Sequence, residues 1–223
     1  NAVTNSDLEK LLLNRNKIQK FNDIFSNVVK INDIDAQHDI EVADQQNSGR
    51  CWIFAFCNVL RYKMIKKYNL KDFEFSQPYI FFYDKLEKCN FFLNIIAENR
   101  HEKTNSRILT HYLKDPLDDG GNWNMFVNIV NKYGLVPKDV FNETNQTKNT
   151  SDINSFLRNK LRDYACVIKS LKTNNEVNSY IDKCMQEIYN IIAISMGEPP
   201  KKFDWVYKKS KGDSKKYKIV KNI

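Results

Sequence analysis

The sequence predicts an α+β protein in which helices dominate and the strands come late in the chain. Apolar residues recur at helical spacing from about residue 51 to residue 196. Aromatic residues alternate with polar ones only after that point, at Phe203, Trp205 and Tyr207, which is typical of a strand. The 223 residues are 42% hydrophobic, which is enough to fill a core and excludes a disordered or collagen-like chain.

The first elements are helices on either side of a polar loop. Leu8 to Val29 suits one or two short helices, whereas residues 36 to 50 lack periodicity and are interpreted as an extended loop. Pro78 is expected to open a later helix that runs to about Ile96, since proline fits the first turn of a helix. Between the loop and Pro78 a helix starts at Cys51, because four apolar residues fall on one face: Ile53, Cys57, Leu60 and Met64.

Turn-forming residues mark the middle of the chain. The sequence Asp118-Asp119-Gly120-Gly121 predicts a sharp turn, followed by a helix that ends at Gly134. A boundary is expected near residues 142–151, where polar turn formers dominate. The inward residues of the helix after the turn are predicted to be Met125, Phe126, Ile129 and Val130.

Two longer helices and two short strands complete the prediction. The helices are placed at about 151–172 and 175–196, and Gly197 with the prolines after it stops the second. Tyr217 to Val220 resembles a strand. The inward residues of the first long helix are predicted to include Ile153, Phe156, Leu157, Leu161, Tyr164 and Ile168.

Positive charge is concentrated at the end of the chain. The formal net charge is +8, and Lys201 to Ile223 alone contributes nine Lys against two Asp, or +7. We expect a solvated Lys-rich loop there, with contact to nucleic acid as the alternative.

The five cysteines favour a reducing compartment, the cytoplasm. They form no CxxC pair and match no zinc spacing, and the odd count argues against a disulfide framework. No apolar run is long enough to cross a bilayer, and no metal or cofactor is implied. Four of the cysteines are expected in the core: Cys57, Cys89, Cys166 and Cys184.

The remaining cysteine, Cys51, lies in QQNSGRCWIF, where its position favours nucleophilic chemistry. If Cys51 is the first residue of a helix, its sulfur lies beside unsatisfied backbone N–H groups, which stabilise a thiolate. Gly49 lets the chain turn just before it, and Trp52 limits access of water. The Gln45 amide and the Cys51 backbone N–H are candidates to stabilise an oxyanion together.

This segment resembles the nucleophile segment of papain-like cysteine peptidases, and in particular the bleomycin hydrolases, also called aminopeptidase C. Three further segments are similar in the same order: FEFSQPYIFFYDKLEKCNFFL, DDGGNWNMFVNIVNKYGLVPK and GEPPKKFDWVY. The resemblance implies a papain-like α+β fold, mainly its helical half with a helical insertion, while the barrel half lies largely outside the chain. It divides the chain into a papain-like part (1–150), the insertion (151–200) and a basic strand segment (201–223).

The resemblance also implies site residues. Cys51 matches the nucleophile that forms a thioester, and Gln45 matches the oxyanion donor. Gly120 and Gly121 match the double glycine that pairs with an extended substrate, with an ordinary turn as the alternative. The residues expected to border the substrate pocket are Asn122, Trp123 and Met125. Ser48 stands where secreted relatives carry a cysteine.

A proton-transferring histidine is missing from the expected region. His38, His101 and His111 all precede it and are interpreted as surface residues. The chain is therefore expected to be the front part of a longer thiol aminopeptidase, inactive alone, with a catalytically incomplete scaffold as the alternative. The resemblance further implies peptide substrates, cleavage at N-termini and a homohexamer.

Overall fold

The structure is a computed structural model that describes residues 43–70, 72–208 and 217–220. All of these residues belong to one compact unit. The predicted N-terminal helices at 8–29 lie outside the described residues, as do residues 209–216 and 221–223 of the Lys-rich segment. The helices and strands of the described residues are α1 (Cys51–Tyr68), α2 (Gln77–Glu98), α3 (Arg107–Lys114), α4 (Trp123–Tyr133), α5 (Asn145–Lys148), α6 (Ser151–Ser170), α7 (Asn174–Met196), β1 (Trp205–Lys208) and β2 (Tyr217–Val220), with a 3₁₀ turn at Lys138–Val140.

Helix α2 is the centre of the core. Its start is fixed by Ser76, whose hydroxyl accepts the Tyr79 N–H, and by Pro78 in the first turn, as predicted. The helix contacts α1, α4, α6 and α7. Because neighbours surround it, apolar residues are buried on several sides of it, among them Ile80, Phe81, Phe82, Cys89, Phe92, Leu93 and Ile96.

Helix α1 begins at Cys51 as predicted, but its buried face differs from the predicted one. Ile53 and Cys57 are buried, whereas Leu60 and Met64 are only half-buried. The inward position after Cys57 is taken by Arg61, which forms ion pairs with Asp72 and Glu74. Apolar periodicity could not identify this position, because a paired arginine occupies it.

The two long helices α6 and α7 agree with the prediction to within two residues at each end. Gly197 follows α7 with φ at +89°, a conformation that favours glycine. Phe156 was predicted to face inward, and this is wrong: its side chain is 51% exposed. The division of the chain at residues 150 and 200 stays a prediction.

Helix α4 matches its prediction, and it is followed by Gly134. Phe126 and Ile129 are buried, while Met125 and Val130 are half-buried. The helix α3 was not predicted: it has only eight residues, and Leu109 is its one buried residue.

The two predicted strands form an antiparallel pair. Trp205 lies opposite Val220, and the register continues to Lys208 opposite Tyr217. Trp205 is buried and packs against Tyr68 and Phe73, with ring centroids 5.7 Å and 5.4 Å away. Within the described ranges, no helix has the length and apolar character that a membrane span requires.

Candidate active site

The first residue of α1 carries an exposed thiol. Cys51 follows Arg50 at the N-cap position, and the Arg50 side chain makes no capping hydrogen bond. The N–H groups of the first turn therefore have no side-chain cap, and the positive end of the helix dipole lies beside the sulfur. This is a position where proteins stabilise a nucleophilic thiolate.

The other cysteines differ from Cys51. Cys57 and Cys89 are buried, and burial raises the pKa of each thiol to about 12, so both stay protonated. Cys184 is also buried, as predicted. The prediction for Cys166 is wrong, since it is exposed on α6.

Residues 45–50, the nucleophile loop, form a closed turn before α1. The Ser48 hydroxyl donates to the Gln45 carbonyl at 2.5 Å, and the Gln45 Nε2 donates to the Ser48 carbonyl at 2.9 Å. One N–H of the Gln45 amide is thus engaged within the loop, while the second has no partner among the described residues. The structure places Gln45 and Cys51 on the same short turn, and the oxyanion role of Gln45 stays a prediction.

Arg50 anchors this loop, and sequence reasoning did not identify it. Its guanidinium is fully buried and donates through Nη1 to the Glu143 carboxylate, in an ion pair at 2.9 Å. Its Nε donates to the Ser48 hydroxyl at 2.9 Å. The guanidinium also lies over the rings of Phe54 and Phe81, 5.1 Å and 5.7 Å from their centroids. The signal in the sequence was the charged residue directly before Cys51. Its partner, Glu143, lies 93 positions away along the chain.

Residues 118–122, the glycine loop, pack directly on the start of α1. The indole Nε1 of Trp52 donates to the Asp119 carbonyl at 2.8 Å. A Cβ on Gly121 would overlap the Trp52 ring, and a Cβ on Gly49 would overlap the Asp119 side chain. Gly49 and Gly121 are therefore required by close approach, and Gly49 needs no left-handed conformation.

The Asp119 side chain connects the glycine loop to the neighbouring helices. Its carboxylate forms an ion pair with the buried Lys85 and accepts hydrogen bonds from Thr150 at 2.7 Å and Asn154 at 2.8 Å. Burial acts to raise the pKa of Asp119, but Lys85 and these hydrogen bonds outweigh it and lower that pKa. Burial lowers the pKa of Lys85. This cluster could not be identified from the sequence, because its members lie on three separate segments.

The predicted substrate residues lie together at the surface. Gly120 and Gly121 are exposed, and the Gly121 N–H and carbonyl have no hydrogen-bond partner among the described residues. Asn122 is the N-cap of α4, where its side chain accepts the Met125 N–H at 3.1 Å. Trp123 is 48% exposed and packs on Phe56 of α1 with ring centroids 5.0 Å apart.

No described histidine contacts Cys51. His101 and His111 are both exposed, as predicted, and the ring of His111 packs against Tyr112. His38 lies outside the described residues. The described residues therefore provide a candidate nucleophile and a binding edge, but not the base.

This arrangement can be compared with known proteins. The model of the Peptidase C1-like family matches residues 1–223. The chain belongs to this family. Bleomycin hydrolase of Rattus norvegicus is 39% identical over 214 residues, which are 93% of this chain and 46% of that protein. Aminopeptidase C of Listeria monocytogenes serovar 1/2a is 41% identical over 176 residues, which are 78% of this chain and 40% of that protein.

A similar solved structure confirms the fold. The crystal structure of PepW from Lactobacillus rhamnosis HN001 matches with a TM-score of 0.87 at 32% identity, covering 100% of this chain and 48% of that one. The prediction of a papain-like α+β fold, represented mainly by its helical part, is thus confirmed. The chain spans about half the length of the curated relatives it matches.

Proposed function

We propose that this member of the Peptidase C1-like family provides the nucleophile and part of the substrate groove of a cysteine aminopeptidase. The observation that carries the proposal is the exposed Cys51 thiol at the uncapped start of α1. Two relatives named bleomycin hydrolase and aminopeptidase C support the reaction class. We assign Cys51 as the nucleophile and Gln45 as the oxyanion donor.

The reaction proceeds by acyl transfer. The Cys51 thiolate attacks the carbonyl carbon of the substrate's first peptide bond, and a C–S bond forms. The resulting oxyanion accepts hydrogen bonds from the Cys51 N–H and the Gln45 amide. The C–N bond then breaks, the leaving amine takes up a proton from a general acid, and water hydrolyses the thioester. We assign neither His101 nor His111 as that acid, because neither contacts Cys51.

The glycine loop would bind the peptide backbone. Among the described residues, the Gly121 N–H and carbonyl have no hydrogen-bond partner. An extended peptide adds to such an edge by main-chain hydrogen bonds. Trp123, Asn122 and Gly120 border this edge and are proposed to contact the substrate.

The first experiment compares two exposed cysteines. Cys51 and Cys166 are both exposed, but only Cys51 lies at a helix start. Alkylation by iodoacetamide at pH 6.5, followed by mass spectrometry of peptides, should label Cys51 at least about tenfold faster than Cys166. Equal rates at the two thiols would contradict the assignment of the nucleophile.

The second experiment tests the activity. The complete protein should release the fluorophore from an aminoacyl-coumarin amide but not from the N-acetylated compound. Cys51→Ala should abolish release, and Cys166→Ala should leave it unchanged. Cleavage of the acetylated substrate at a similar rate would replace the aminopeptidase proposal with that of an endopeptidase.

We further propose a homohexamer located in the cytoplasm. The resemblance to bleomycin hydrolases supports the assembly, and exposed Phe156 and Ile194 on α6 and α7 supply apolar surface for self-association. Light scattering of the purified protein tests the assembly, and cell fractionation tests the location. Nucleic-acid binding through residues 201–223 is not favoured, because the similarity along the chain is to peptidases.

A further inference from the structure

Two lysine side chains of α2 hold the backbone of the glycine loop. Lys85 and Lys88 lie three residues apart on α2 and therefore share a face of the helix. Both ammonium groups donate to the Asp118 carbonyl, at 2.7 Å and 3.1 Å. Lys88 also donates to the Gly120 carbonyl at 2.6 Å.

These contacts engage three carbonyls in a row. The Asp118 and Gly120 carbonyls accept from the lysines, and the Asp119 carbonyl between them accepts from the Trp52 indole. The next residue, Gly121, has no such contact within the described part of the chain. The side-chain donors thus hold the loop up to the residue whose backbone groups stay available to a ligand.

Lys88 is itself held in place. Its Nζ is 3.0 Å from the buried Asp84 carboxylate and 3.2 Å from the Asp118 carboxylate, and it lies over the Trp52 ring at 5.7 Å. The side chain is mostly buried, unlike a surface lysine with free rotamers. A charge-assisted donor fixed in this way orients the carbonyl it binds.

We propose that Lys88 is a positioning residue for the peptide-binding edge. Its hydrogen bonds to the Asp118 and Gly120 carbonyls set the direction of the backbone at Gly121, and hence the hydrogen bonds that Gly121 offers to an extended peptide. This inference rests on the proposed peptidase function. Lys85 is fully buried and contacts the glycine loop at Asp118 and Asp119. Lys88 contacts Gly120, the residue adjacent to Gly121.

The test separates binding from nucleophile chemistry in the complete protein. Iodoacetamide needs only the Cys51 sulfur, whereas a peptidyl epoxide must first bind along the peptide edge. Lys88→Met should slow inactivation by the peptidyl epoxide and raise KM about tenfold, because a charge-assisted hydrogen bond is lost. The rate with iodoacetamide should stay within about twofold of the unmodified protein.

Three further variants act as controls. Lys88→Arg should restore most of the affinity, since it keeps a charged donor, and Lys88→Gln provides an uncharged variant if Lys88→Met folds poorly. Lys132→Met removes an exposed lysine of α4 that pairs with Glu87 and should change neither rate. An unchanged KM in folded Lys88→Met or Lys88→Gln would overturn the proposal. An equal decrease in the rates of inactivation by iodoacetamide and by the peptidyl epoxide would overturn it as well.

Failure of the proposed function gives a different result. If the unmodified protein shows no preference for Cys51 with either reagent, the peptidase assignment fails. If Cys51 reacts selectively but Lys88→Met matches Lys132→Met, the role of Lys88 alone is refuted.

Discussion

The nucleophile loop and the glycine loop contact each other, but they are anchored differently. Among charged side chains, one buried cation anchors the nucleophile loop: Arg50, with one carboxylate partner, Glu143. The glycine loop is anchored through the Asp119 carboxylate, which has partners on two helices and in the segment before α6. The comparison shows that the charged anchor of the nucleophile loop is a single ion pair, whereas the anchor of the glycine loop is shared among several partners.

Both loops are attached to the same polar segment. Asn47 of the nucleophile loop donates to the Lys148 carbonyl at 3.0 Å, and Asp119 of the glycine loop accepts from Thr150. This segment, residues 142–151, has the composition that predicted a boundary. Within it, Glu143 is the partner of Arg50 and Thr150 is a partner of Asp119. The predicted boundary at this segment stays a prediction.

Substitution of Arg50 should have the largest effect. Arg50→Met leaves Glu143 without its buried partner and removes the donor to Ser48, so we expect the free energy of unfolding to fall by about 3–5 kcal/mol. Urea unfolding monitored by circular dichroism measures this change. Asp119→Asn should cost less, because Lys85 keeps the Asp118 carbonyl as a partner. Equal losses in the two variants would show that the contrast between concentrated and distributed anchors is wrong.

Substitution of Gly121 should affect binding more than stability. A Cβ in Gly121→Ala overlaps the Trp52 ring, so the glycine loop must shift away from α1, and a displacement of about 1 Å reduces kcat/KM by up to about 100-fold. Gly120→Ala at the same edge should lose less activity, because its Cβ would lie 3.3 Å from the flexible end of the Asp118 side chain and the loop need not shift. Steady-state kinetics of both variants check the prediction, which fails if they lose the same activity.

Elements held by local apolar patterns could be predicted from the sequence, whereas the anchors of the site could not. The starts and ends of α6 and α7 follow from periodicity and from Gly197, which act within a few residues. The helix start at Cys51 could be predicted because the apolar residues after it recur at helical spacing, and its role as nucleophile stays a prediction. Arg50 and Asp119 were missed, because their partners are distant in sequence and because charged residues are rarely buried.

The smallest predicted effect concerns Asp84, the buried carboxylate next to Lys88. Burial raises the pKa of Asp84 to about 6, against the attraction of Lys88 and Lys85. Since the folded protein holds this proton more tightly than the unfolded chain, the contribution of Asp84 to stability is present at low pH and is lost as the pH rises through about 6.

Asp84→Asn removes this dependence, so the difference in unfolding free energy between the two proteins should change by about 1 kcal/mol between pH 5 and pH 7.5. Over that interval the unmodified protein should lose stability relative to the variant, as measured by urea unfolding at both pH values. Asp118→Asn removes an exposed carboxylate that also contacts Lys88 and reports the effect of charge removal alone. A constant difference between unmodified protein and Asp84→Asn would mean that Asp84 stays ionised, with Lys88 compensating its burial fully. Lys88, which contacts the glycine loop, would then face the same charge on Asp84 at both pH values.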